Sequence, residues 1–195
     1  MKKFSAFFII ILLFSVFLFG EESITTIKIL NAQKTEYKKS EETGNDSIVL
    51  EGSVEISVTK DSATTTVTAN KVSFDRETKI MYADGNVKVS SNGSGGGIDD
   101  ATATSLILNT TTMEGVFDDG RVVQTKSESI SLPSGSVLVV FADIFGKSES
   151  NTIAFKNASL TFCDDLDPHW HIKASKIWLL PGGEFAFVNA LLFVG

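Results

Sequence analysis

The feature that most constrains this chain is a stretch that repeats. Ala69-Asn70-Lys71-Val72-Ser73-Phe74-Asp75-Arg76-Glu77-Thr78, followed by Gly85-Asn86-Val87, matches Ala103-Thr104-Ser105-Leu106-Ile107-Leu108-Asn109-Thr110-Thr111-Thr112, followed by Gly120-Arg121-Val122, at a period of about 35 residues. A looser third copy runs Ala174-Ser175-Lys176-Ile177-Trp178-Leu179, turns at Pro181-Gly182-Gly183 and returns through Phe185-Ala186-Phe187-Val188. Each copy reads as a strand, a turn and a second strand. One hairpin cannot bury its own apolar face, so hairpins recurring at this period must stack into one continuous sheet assembly. Val72, Leu106 and Ile177, then Phe74, Leu108 and Leu179, are expected to form two layers of one core.

The neighbouring segments agree. Ile48, Leu50, Val54, Ile56 and Val58 largely alternate with Val49, Glu51, Ser53, Glu55 and Ser57, and Met81, Ala83, Val87 and Val89 continue the pattern. One apolar and one wet face per strand is the signature of an antiparallel sheet. No 3.6-residue stripe follows residue 47. Gly52 and Gly85 interrupt two of the strands and mark bulges or bends, with Gly85 placed where a side chain would point inward. Residues 91–97 and 127–135 read as loops. The fold class is all-β: an elongated, curled, antiparallel structure.

Lys2 and Lys3 precede an uncharged, largely apolar run over residues 4–19. Residues 1–20 are therefore a signal peptide, or a retained N-terminal membrane anchor. Residues 21–46 are expected to be a polar linker, with Ile24, Ile27, Ile29 and Leu30 as its sizeable aliphatic side chains, and 47–195 the β domain. Without the leader's two lysines, 15 basic residues face 24 acidic ones, a net charge of −9. An acidic exported domain offers nothing to a phosphate backbone, which excludes nucleic acid as a partner.

Side-chain chemistry is sparse. Cys163, Asp164, Asp165, Asp167, His169 and His171 crowd together, with both histidines expected on one face of a strand. A structural zinc site needs four donors, so the segment is taken as a solvated turn anchored by Trp170, with no metal. Gly146-Lys147-Ser148 lacks the first glycine of a phosphate loop, since Phe141 occupies that place. Asp99-Asp100 and Asp118-Asp119 are expected at turns, and the glycosylation triplets at Asn45, Asn109 and Asn157 carry no weight. No enzyme and no cofactor is expected.

The tandem Ala-x-x-Val-x-Phe-Asp-Arg-Glu-Thr and Gly-Asn-Val pattern resembles the OstA-like domain shared by periplasmic lipopolysaccharide transport proteins, LptA among them. Thr161-x-Cys163, Pro168-x-Trp170, Ala174-x-x-Ile177 and Asn189-Ala190 follow one another in an order similar to the end of the N-terminal domain of the LPS-assembly family LptD. The likeness covers residues 47–195. It implies an incomplete jellyroll whose interior is a groove for acyl chains, lined here by Val54, Ile56, Val58, Val72, Phe74, Val87, Val89, Leu106, Leu108, Val139, Phe141, Ile177 and Leu179. It further implies a periplasmic location at the outer membrane, lipopolysaccharide or a similar glycolipid as ligand, and like jellyrolls joined by edge-strand addition. The family's outer-membrane barrel is absent from this sequence. There, the cysteine matching Cys163 forms a disulfide to the barrel. Here Cys163 is the single cysteine, so it is free, intermolecular, or a sign of a longer reading frame. The alternative is a structural envelope β domain with a closed core and no lipid ligand.

Overall fold

The computed structural model describes residues 25–39, 44–92, 98, 100–124, 137–163, 165 and 167–195. The leader at 1–20, residues 93–97 of the first loop and all of 127–135 lie outside the described residues. No helix occurs among the described residues; twelve strands do. They are β1 (Thr25–Asn31), β2 (Lys34–Lys39), β3 (Asp46–Lys60), β4 (Ala63–Asp75), β5 (Ile80–Asn92) and β6 (Asp100–Asn109). Then follow β7 (Gly115–Gln124), β8 (Leu138–Lys147), β9 (Ile153–Thr161), β10 (Trp170–Leu180), β11 (Glu184–Val188) and β12 (Leu191–Val194). The segment expected as a linker thus supplies two strands.

All twelve belong to one antiparallel sheet in the order β1-β3-β4-β5-β6-β7-β8-β9-β10-β11; β2 pairs with β3 beyond the end of β1, and β12 pairs with β10 beyond β11. From β3 to β11 neighbours in sequence are neighbours in the sheet, an up-and-down order, and the sheet's two edges do not join. This is the open, jellyroll-like β architecture expected. The matched repeats correspond to β4–β5, β6–β7 and β10–β11. Their turns also share chemistry: Asp75 Oδ1 accepts the amides of Glu77 and Thr78, and Asn109 Oδ1 those of Thr111 and Thr112.

Register turns the alternation into rows that cross the sheet. One runs Ile29, Ile56, Val67, Val89, Ala101, Val122, Val140, Leu160, Ile172, Leu192. A second runs Leu50, Val72, Ala83, Leu106, Phe117, Phe145, Phe155, Ile177, Phe187. Between them lies a row of small residues in direct register: Ala103, Gly120, Ala142, Ala158 and Ala174.

That small row is a crease. On the even strands successive buried positions are three apart there, as Ala69 and Val72, Ala103 and Leu106, Ala142 and Phe145, Ala174 and Ile177. A flat strand alternates with period two, so a step of three requires a local rotation of the strand. Left-handed residues accompany it at the same level: Ser53, Asn86, Asp119, Asn157 and Asn189, with φ of 48°, 52°, 45°, 49° and 53°. Asn and Asp tolerate this conformation better than other side-chain-bearing residues. Register shifts between Glu51 and Val54 and between Asp84 and Val87 show the bulges that Gly52 and Gly85 mark. The inward placement of Gly85 is corrected: a Cβ there would approach the exposed Asn70 side chain at 2.6 Å, on the outer face.

Across the crease the halves of the sheet face one another. Val89, from one half, lines the same interior cavity as Leu106 and Phe117 from the other, although none of these is its register partner. The core between them is a single apolar cluster.

Candidate functional site

The interior is built by the inward row positions. Val54, Ile56, Val58, Val72, Val87, Val89, Leu106, Leu108, Ile177 and Leu179 are buried members of the one cluster, and half-buried Phe74 packs against it. Val139 is buried outside that cluster, and Phe141 is 47% exposed. In β8 the inward positions belong to Leu138, Val140 and Ala142, and then, after the step of three, to Phe145. Reading Val139 and Phe141 as inward therefore picks the wrong phase of this strand, and Phe141 lies on the outer face. Sequence reasoning also passed over the aromatic centre of the core. Phe117 and Phe145 stack at 4.5 Å with planes 6° apart, and Phe155 lies 5.9 Å beyond Phe145.

Between the facing halves is a cavity of about 60 Å³, walled by Val89, Leu106, Leu108 and Phe117, with Thr65 and Lys147 also on its lining. That is room for a few water molecules. Thr65 and Ser91 close one side with a 2.6 Å hydroxyl–hydroxyl hydrogen bond. Lys147 makes no ion pair among the described residues. Its burial, and then the like charge of Lys60, hold its pKa below the ordinary 10.5. The unfolded chain therefore binds more protons there than the native one, and stability rises as pH climbs from the depressed native value toward 10.5. Lys147→Met is expected to stabilise the ligand-free protein at neutral pH and to remove this part of the pH dependence. Chemical unfolding of both proteins between pH 7 and pH 10.5 measures it; parallel curves would refute the assignment.

On the outside, the crease carries a cleft of about 790 Å³ spanning β5 to β10 and reaching Leu191 of β12. Ala103, Gly120, Ala142, Ala158 and Ala174 line it, because a row without long side chains leaves a channel between the outward residues on either side. Along one wall Asn157 Nδ2 donates to Asp143 Oδ2 at 2.9 Å and Asn189 Nδ2 to Ser175 Oγ at 3.2 Å. Along the other, the Arg121 guanidinium sits 5.4 Å from the Phe141 ring centroid, and its buried Nε has no hydrogen-bond partner. The sequence signal for this cleft is the recurrence of Asn or Asp once per repeat.

The remaining candidates separate. Asp118 and Asp119 lie within β7 at the crease, not at a turn, and Gly146-Lys147 ends β8. Cys163 is half-buried, with Sγ 3.5 Å from Asp165 Oδ2. Side-chain ligand atoms of Cys163, Asp165 and His169 all lie within 4.8 Å of one another. His171 does not join them; its ring stacks on Phe193 at 4.9 Å. No protein-family model and no curated protein matches the chain.

Proposed function

We propose that this chain is an OstA-like, LptD-related module of the periplasm that binds the acyl chains of lipopolysaccharide or a similar glycolipid and passes them along its interior. It does so as a binding protein, not an enzyme. The observation that carries the reading is the continuity of the apolar rows: the first runs across the strands from β1 to β12 and the second from β3 to β11, a path of roughly 40 Å at the usual strand spacing. An acyl chain moving between the halves meets apolar side chains throughout, and each buried CH2 contributes about 0.8 kcal/mol without any charged contact. Because the edges are unpaired, the halves part by bending at the crease rather than by breaking ladder hydrogen bonds.

The edges suit strand addition to a like domain. Leu191, Leu192 and Val194 of β12 are each more than half exposed, and Leu30 and Tyr37 are so at the opposite edge. A head-to-tail contact between unlike edges propagates without closing.

One observation favours the second reading, a structural envelope domain with a closed core: the interior cavity is far too small for a lipid while the halves are together. Site-specific photocrosslinking separates the two. A crosslinking amino acid at Leu108, on the cavity wall, is expected to capture lipopolysaccharide in cells, and one at Tyr82, 48% exposed on the outer face, is not. Capture at Leu108 no stronger than at Tyr82 would reject the lipid reading.

A further inference from the structure

We infer that Cys163, Asp165 and His169 form a binding site for a divalent transition-metal ion of the zinc class. A thiol, a carboxylate and an imidazole are the three donor types such ions take from proteins, and together they make a mixed S, O, N set that selects zinc or cobalt over magnesium or calcium. Their ligand atoms already lie within 4.8 Å of one another. Bond lengths of about 2.0–2.3 Å put tetrahedral ligands somewhat closer than that, a gap that side-chain rotation in an exposed loop can close.

The backbone holding them is anchored at both limbs. The Thr161 hydroxyl, on a residue 3% exposed, accepts the Cys163 amide at 3.2 Å and donates to the Trp170 carbonyl at 2.8 Å. This ties the thiol-bearing limb to the one that carries His169. Phe162 packs on Trp170 at 5.7 Å and on Phe185 at 6.2 Å, and the His169 carbonyl accepts the Gly195 amide at 3.1 Å. Asp165 and His169 are exposed, so three protein ligands leave the fourth position to water or to a group from a partner. That is the open-site arrangement, not a closed structural one. Binding replaces the thiol proton by the metal, and the proton leaves to solvent. What sequence spacing did not convey is that, of the two histidines, His169 shares this donor cluster and His171 does not.

The test uses the full chain purified reduced and without a polyhistidine tag, titrated with Co²⁺. One ion per chain is expected, with a near-ultraviolet thiolate-to-metal charge-transfer band and visible bands of four-coordinate intensity, all displaced by Zn²⁺. Cys163→Ser should abolish the charge-transfer band. His169→Gln and Asp165→Asn should each weaken binding by more than the about 10–100-fold typical of losing an outer-shell partner. No thiolate band, or a band of unchanged affinity in His169→Gln and Asp165→Asn, would overturn the site. An unchanged metal-free unfolding curve for each variant confirms that the loop, not the fold, was altered.

Discussion

Phe145→Ala should remove about 4 kcal/mol of stability, close to the whole of what a marginal domain has. Phe145 is 1% exposed and sits mid-row between Phe117 and Phe155, so truncation deletes both stacked contacts and leaves a cavity that flanking strands cannot collapse into. Those strands are pinned by register: β8 is paired along its length to β7 on one side and β9 on the other. Phe145→Leu keeps most of the volume and should lose much less. Urea unfolding at neutral pH measures both. A loss below about 1 kcal/mol for the alanine variant would mean that the halves are not packed on each other at this row.

That row also shows how far a sequence of this kind can be read. Alternation identified the strands because each half of each strand keeps period two. The repeat identified the hairpins because Asp75 and Asn109 use the same side-chain oxygen to close their turns. The crease was visible only as a motif without a mechanism. Ala-x-x-Val, Ala-x-x-Leu and Ala-x-x-Ile recur in the sequence, and the structure shows the step of three to be the point where the strand rotates. Alternation without that rotation gives the wrong phase for β8, putting Val139 and Phe141 in place of Val140 and Ala142. It also hid the unit β8–β9, whose Ala142-x-x-Phe145 step and left-handed Asn157 match the other copies although its turn sequence does not.

The polar segment before β3 illustrates a different limit. Thr25–Asn31 and Lys34–Lys39 carry few apolar side chains, and composition alone assigns them to a linker. They are strands because β3 offers a free row of hydrogen-bonding groups for most of its 15 residues, and each covers one stretch of it. Charge helps at the second: Lys34 contacts Glu36 at 2.6 Å and Glu51 of β3 at 3.7 Å, exposed pairs worth little singly. Such context-driven strands leave no periodic trace in a sequence.

Gly120→Ala should be the most damaging of the glycine-to-alanine changes among the described residues, at about 3 kcal/mol, the upper end of what overpacking costs. A Cβ at Gly120 would overlap the carbonyl oxygen of Thr102 on β6 and come within 2.9 Å of the Phe145 ring. The ring can shift, but the carbonyl is fixed in the ladder between β6 and β7, so relief requires those strands to separate at the crease. Gly115 on the same strand is the control. A Cβ there meets Leu106 and Leu108 at ordinary distances of 3.4 and 3.5 Å, and Gly115→Ala should change stability by less than about 1 kcal/mol. Combining Gly120→Ala with Phe145→Ala isolates the ring's share. The double variant should be less destabilised than the sum of the singles by about 1 kcal/mol, since neighbours couple, yet far from rescued, because the carbonyl overlap persists. Full additivity would place the ring clear of Gly120; complete rescue would mean that the Thr102 carbonyl gives way to the added methyl without cost.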